Sequence, residues 1–204
     1  MNAWIILSLA ICALSNVQAE QTDAQFQQEV LRIHNKYRAH HDTEPMTLNP
    51  KMCKEAKAYA EILAQEGQLR HSNHQRHGDG ENLAMVRGFD MTGEYVTDMW
   101  YVEVCDYNFD TGEIKIESRG GFISHFAQVV WKSSTQLGIG KFKVGSETYA
   151  VVRYRKPGNY VGQFQQNVQQ GQFKASECPA LKKKVDIFGL KKNHVHKNIR
   201  QKVL

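Results

Sequence analysis

The sequence predicts an α+β fold, on three observations. Apolar residues recur at helical spacing in separate stretches between Phe26 and Trp131. Two strand-like runs, Gln136 to Val144 and Thr148 to Arg155, are joined through Gly145-Ser146 as a hairpin. A further run, Glu81 to Arg87, is entered through Gly80 and reads as another strand.

In chain order, Trp4 to Leu14 is an apolar run of the length of a signal h-region, and Val17-Gln18-Ala19 is a small-residue cleavage site. Residues 1–19 are therefore expected to leave as an export signal, and the run is too short for an anchor. Thr22 with Gln25 has the form of a capping box, and Phe26, Val30, Ile33 and Tyr37 mark one buried helix face. His34 lies on that face and is expected to be a core histidine bonded to backbone. Asn49 before Pro50 predicts the start of a second helix, with Met52, Ala56, Tyr59, Ala60 and Leu63 inward and Gly67 as its end.

Arg70 to Gly80 is a polar loop carrying His71, His74 and His77. No rigid element is predicted there to orient three rings on one ion, so at least two are expected to be solvated. Thr92 to about Asp106 is predicted helical, with Tyr95, Val96, Met99 and Trp100 inward and Glu103 on the edge of that face. Asp106 to Gly121 reads as a loop. In the helix predicted at Ser124 to Trp131, Phe122, Phe126, Val129 and Val130 form a stripe, and His125 stands on its shoulder, where a ring can face a cleft. Gly138-Ile139-Gly140 lacks the third glycine of a dinucleotide fingerprint. Pro157-Gly158-Asn159 closes the last strand, and Gln163 to Gln172 is a Gln-rich connector.

The net charge of +5 is unevenly spread. Residues 172–204 hold nine Lys or Arg against two acids, and the preceding 171 hold 17 against 19. A near-neutral domain over residues 20–171 is thus followed by a basic C-terminal tail, read as a solvated extension. The competing reading is contact with an anionic lipid or polysaccharide surface, weakened by salt. With the charge confined to the tail, no nucleic acid is expected as partner. Once Cys12 leaves with the signal, Cys53, Cys105 and Cys178 remain. An odd number leaves one free thiol or an intermolecular bond, the latter joining a homodimer. Cys53 and Cys105 both fall in predicted helices, which permits a bridge without requiring it.

Four motifs stand in order: His34-Asn35-Lys36-Tyr37-Arg38, Gly80-Glu81-Asn82-Leu83, His125-Phe126-Ala127-Gln128-Val129-Val130-Trp131, and Val151-Val152-Arg153-Tyr154 with Pro157-Gly158-Asn159. Together they resemble the CAP superfamily of cysteine-rich secretory proteins, antigen 5 venom allergens and plant pathogenesis-related proteins, over about Phe26 to Val168. The chain looks most like the Golgi-associated plant pathogenesis-related branch. Arg153 stands where secreted members usually carry cysteine, and no cysteine-rich module follows. It departs from that branch in having an export signal where a myristoylation glycine would stand, since Asn2 follows Met1. Ser124 also departs from the Gly or acidic residue that commonly precedes the motif histidine.

The resemblance implies a three-layer α-β-α sandwich with a small central antiparallel sheet. It also implies a central cleft lined by His71, Glu81, Glu103 and His125. His71 is matched through Leu69-Arg70-His71-Ser72, Glu81 through its Gly-Glu-Asn, Glu103 through Trp100-Tyr101-Val102-Glu103, and His125 through its helix. Two imidazoles and two carboxylates can hold a divalent ion. His71 and His125 are the expected metal ligands of a weak Zn2+ site, with the glutamates orienting the rings. The function implied is a secreted, extracellular binding protein for lipid, sterol or a protein partner. The alternative is a metal-dependent extracellular hydrolase. Against it, tight catalytic zinc normally has three protein ligands, and no motif places an activated Ser or Cys. Ser124 and His125, adjacent on a helix, do not face one another.

Overall fold

The first helix, α1 (Asp23–His40), begins where its capping box predicts: Thr22 Oγ1 accepts from the Gln25 N–H, and the Gln25 side chain accepts from the Thr22 N–H. The computed structural model describes residues 21–72, 78–114, 125–190 and 202–203. After α1 come β1 (Thr47–Leu48), α2 (Pro50–Glu66), β2 (Gly80–Arg87) and α3 (Gly93–Tyr101), which runs into a 3-10 turn at Val102–Asp106. Then follow β3 (Tyr107–Asn108), β4 (Glu113–Ile114), α4 (His125–Val130), β5 (Gln136–Val144), β6 (Glu147–Arg155) and α5 (Phe164–Asn167). A second 3-10 turn at Ala175–Glu177 leads into α6 (Cys178–Leu190), and β7 (Lys202–Val203) comes last. Among the described residues, no helix is long and apolar enough to cross a membrane. The apolar run at 4–14 lies outside them, as do His74, His77, Phe122 and Ser124.

The main sheet has the order β1-β5-β6-β2-β7 and is antiparallel except at β1, whose two residues pair parallel to β5. Two-residue alternation splits it between two layers. Leu83, Met85, Tyr149 and Val151 face α2, packing with Ala56, Tyr59, Ala60 and Leu63. Ala84, Val86, Ala150, Val152 and Tyr154 face the other way, into the core shared by α1, α3 and α4. Helix α2 lies very close on β5: a Cβ at Gly140 would overlap the backbone of Lys57. The Gly-Ile-Gly run is therefore a packing device, with glycine where the helix backbone touches the strand. The implied helix-sheet-helix sandwich is what the chain forms.

Three expectations are corrected. The loop from Asp106 contains the short β3–β4 ribbon, where Tyr107 pairs with Ile114; residues 115–121 lie outside the described part. Helix α4 has no single buried stripe, because all six of its residues are buried. The C-terminal segment is not a solvated extension up to Leu190: α6 runs through Gly189, and Cys178, Leu181 and Val185 pack against the core. Cys178 is disulfide-bonded to Cys105, 73 residues earlier. Cys53 is the buried free thiol, accepting the Ile139 N–H at 3.3 Å. A cross-link so distant in sequence leaves no local signal, which is why the pairing stayed open above.

Candidate functional site

Helix α4 is only six residues long and is held at both ends from outside. At its N-terminus Glu103, in the 3-10 turn after α3, accepts the N–H groups of His125 and Phe126 at Oε2, each at 3.0 Å. At its C-terminal end the buried Arg38 guanidinium donates to the carbonyls of Val129 (3.2 Å) and Trp131 (2.9 Å), and beyond the helix to Ser134 (2.9 Å). A carboxylate at the start and a cation at the end satisfy the orphan groups of the helix and oppose its dipole. Gln128 fixes its flank, donating to Ser134 Oγ at 3.0 Å and accepting the Gly158 N–H at 2.8 Å. A Cβ at Gly80 would strike the Gln128 amide, so the start of β2 needs glycine to lie this close.

His125 is thereby aimed. Its Nδ1 donates to the other oxygen of Glu103 at 2.7 Å, and its ring stacks over Trp100 with centroids 6.3 Å apart. The second pair stands at the start of β2. Glu81, whose side chain is fully buried, accepts from His71 Nδ1 (2.9 Å), the Ser72 N–H (2.9 Å) and Ser72 Oγ (2.5 Å). Its pair partner in the β2–β6 register is Arg153, whose Nε lies 3.6 Å from its Oε2. Burial alone would raise the Glu81 pKa, but the bonds from His71 and Ser72 outweigh it and leave the carboxyl below its ordinary value.

Of the four residues implied by the resemblance, the structure brings His71 to Glu81 and His125 to Glu103. The pairs flank β2: Glu81 belongs to the face toward α2, and Asn82 to the opposite one. Asn82 Nδ2 donates to the His125 carbonyl at 3.2 Å and to the Tyr154 hydroxyl at 3.0 Å. Among the described residues no group of three or more His, Cys, Asp or Glu side chains is arranged to hold one metal ion. Each ring taken by itself has the chemistry of a metal ligand, because a carboxylate on Nδ1 leaves the lone pair of the neutral imidazole on Nε2.

Sequence reasoning did not single out Ser72, Asn82 or the Glu81–Arg153 contact; Arg153 entered only as a departure from a cysteine pattern. A strand register could have found that contact, since cross-strand partners share a face. His34 is the core histidine it was expected to be: Nδ1 donates to the Val30 carbonyl at 2.8 Å and Nε2 accepts from Tyr154 at 2.9 Å. A cavity of about 500 Å3 lies elsewhere, between α1 and α6, lined among others by Lys36, His40, Tyr101, Ala180, Leu181 and Lys184.

Comparison with known proteins agrees with this architecture. A family model described as "CAP: Cysteine-rich secretory protein family" matches residues 31–155. The chain is 39% identical over 151 residues to Golgi-associated plant pathogenesis-related protein 1 of Homo sapiens, spanning 71% of this chain and 92% of that protein. It is 32% identical over 166 residues to a pathogenesis-related protein PR-1 type of Sambucus nigra, spanning 79% and 96%. Among solved structures, that of BmVAL-1 superposes with a TM-score of 0.57 at 17% identity, over 77% of this chain and 86% of that one. With the four motifs on the elements just described, and the Golgi-associated likeness read from them matched by the human relative, the chain belongs to the CAP family of cysteine-rich secretory proteins.

Proposed function

We propose that the chain is an exported binding module that takes up an amphipathic lipid carrying a negative headgroup. The observation that carries this reading is the cavity between α1 and α6. Tyr101, Ala180 and Leu181 in its lining suit an apolar chain, and the lining lysines Lys36 and Lys184, against the single acid Glu177, suit an anionic head. Export is supported by the signal-like residues 1–19 and by the Cys105–Cys178 disulfide, which belongs to oxidising compartments. The exposed Lys182 and Lys183 of α6 give the same molecule a route to anionic membrane surfaces, with an affinity that falls as salt rises.

Delipidated protein is offered a fluorescent long-chain carboxylate, a sterol and acidic phospholipid vesicles. Saturable uptake of the carboxylate, weakened by Lys36→Glu, is the expected result. Uptake of none of the three removes the lipid reading and leaves a protein partner for the same module.

The two His–carboxylate pairs favour a second property, weak divalent-ion binding at His71 and His125. Zn2+ held there would act as a Lewis acid on a bound water, which is the basis of the hydrolase alternative. The residues themselves lean toward binding: the Ser72 hydroxyl is held by Glu81 and not by an imidazole base. Calorimetric titration of Zn2+ into wild type and the His71→Ala/His125→Ala double variant tests the ion site; equal heats eliminate it. Peptidase or esterase activity abolished by chelator and by the same double change would instead establish the hydrolase.

A further inference from the structure

Helix α6 and the 3-10 turn before it lie outside the residues 31–155 matched by the family model, yet they fasten onto the element that carries Glu103. The turn Val102–Asp106 is five residues long and has no side-chain cap at its start. Such a turn has poor internal hydrogen-bond geometry and depends on outside anchors. Three of the groups that anchor it and α3 come from α6. Cys105 is bonded to Cys178, Lys182 lies 3.9 Å from Asp106, and Lys184 reaches Asp98 and Glu94 at 2.7 Å each. A fourth contact, from Glu177 to His40 at 3.2 Å, ties the start of the helix to α1. Glu103 sits between these fastenings, two residues before Cys105, and its carboxylate is what holds the His125 ring and the first two amides of α4.

We infer that α6 is a positioning brace for the Glu103–His125 pair, and that the Cys105–Cys178 disulfide is its redox latch. A dithiol reductant attacks one sulfur to form a mixed disulfide, and its second thiol then displaces the protein cysteine. Two electrons and two protons pass to the protein, Cys105 and Cys178 become thiols, and the reductant leaves as a cyclic disulfide. With the covalent tie cut, the 3-10 turn itself keeps only the half-exposed Lys182–Asp106 pair from α6, which contributes little, while Lys184 still pairs with Glu94 and the buried Asp98 on α3 and Leu181 and Val185 still pack on the core. The 3-10 turn then loosens, Glu103 withdraws from α4, and the cavity wall supplied by Ala180 and Leu181 opens. The inference does not depend on which ligand the module binds.

The test is residue-resolved amide hydrogen exchange on the full-length mature chain, oxidised and after treatment with a dithiol. The same measurement on Cys105→Ser/Cys178→Ser controls for side effects of the reductant. The expected result is exchange faster by about tenfold or more at the His125 and Phe126 amides and along α6, with amides of α2 and β5 unchanged. A merely structural disulfide would move all amides together, and that outcome overturns the inference. So does a reduced protein in which α6 exchanges freely while His125 and Phe126 stay protected. Reduced protein in which α6 itself stays protected shows that the disulfide is no latch and overturns it equally. In Glu103→Gln, whose amide can accept at only one oxygen, the two amides exchange faster before reduction, and reduction adds less than in wild type.

Discussion

His34 links the core to acid sensitivity, and the size of the effect follows from its surroundings. The ring is completely buried. Its Nδ1 donates to Val30 and its Nε2 accepts from the Tyr154 hydroxyl, which in turn accepts from Asn82. Adding a proton at Nε2 would turn the ring from acceptor to donor there and leave the Tyr154 O–H without its acceptor, in a site already close to the Arg38 charge. Burial first, with the Arg38 charge adding to it and only partly offset by the Val30 bond, pushes the pKa of His34 from 6.5 down to about 3. A histidine with a lowered folded pKa binds fewer protons folded than unfolded between those values. Stability is therefore full above about pH 6.5 and falls as pH drops through that window. Between about pH 7 and pH 4.5 the loss from this one group is about 2.6 kcal/mol. His34→Gln keeps an amide able to meet Val30 and Tyr154 but cannot titrate. Urea unfolding of wild type and His34→Gln at both pH values should show the variant losing about 2.6 kcal/mol less on acidification. Parallel losses in the two proteins would refute the reasoning, since no titratable ring would then be held neutral at position 34. His41, lowered mainly by burial to about 4, adds a second acid-labile contribution common to both proteins and cancels in the comparison.

Three other changes have definite expectations. Glu103→Ala orphans the His125 and Phe126 amides and should cost about 2 to 4 kcal/mol in urea unfolding; a change below about 0.5 kcal/mol would mean that α4 does not lean on this carboxylate. Arg153→Met leaves the Glu81 carboxylate buried without its cation and should destabilise by about 3 to 5 kcal/mol, while Glu81→Gln/Arg153→Met should recover much of that loss. If the double variant is simply the sum of the singles, the two groups are not coupled. Gly140→Ala pushes α2 off β5 and should lower stability by about 1 to 3 kcal/mol by thermal melting, where an exposed strand glycine would gain from the same change.

The parts of this molecule that were legible in its sequence are those in which the burial pattern is local. The stripe Phe26, Val30, Ile33 and Tyr37 fixes the face of α1 within a single stretch of chain, and Thr22 and Asn49 start α1 and α2 because a cap acts on its own next turn. The hairpin of β5 and β6 is equally local, turning at Gly145 with its φ of +56°. The site was legible only through the motif set. Periodicity says that Glu103 edges an apolar face, but not that its two oxygens divide between one ring and two amides, 22 residues away. It does not reach His41, which belongs to no apolar stripe, although that ring is fully buried between the Gln169 carbonyl and the Tyr101 hydroxyl.

The misreading of α6 has a different cause. Its sequence offers three consecutive lysines, Lys182 to Lys184, and an apolar pattern too thin for a core helix, so by composition it resembles a solvated tail. What docks it, beside the packing of Leu181 and Val185 on the core, are a bond to Cys105 and long side chains crossing to acids on α3 and the following turn. Contacts of that kind are set by which charges face each other in space, and hydrophobic periodicity is blind to them. They also respond to other agents than the core does. A helix attached by apolar burial alone would hold on in high salt and in reductant alike, whereas α6, only part of whose attachment is apolar, should be loosened by the two together while α2 stays in place on its sheet.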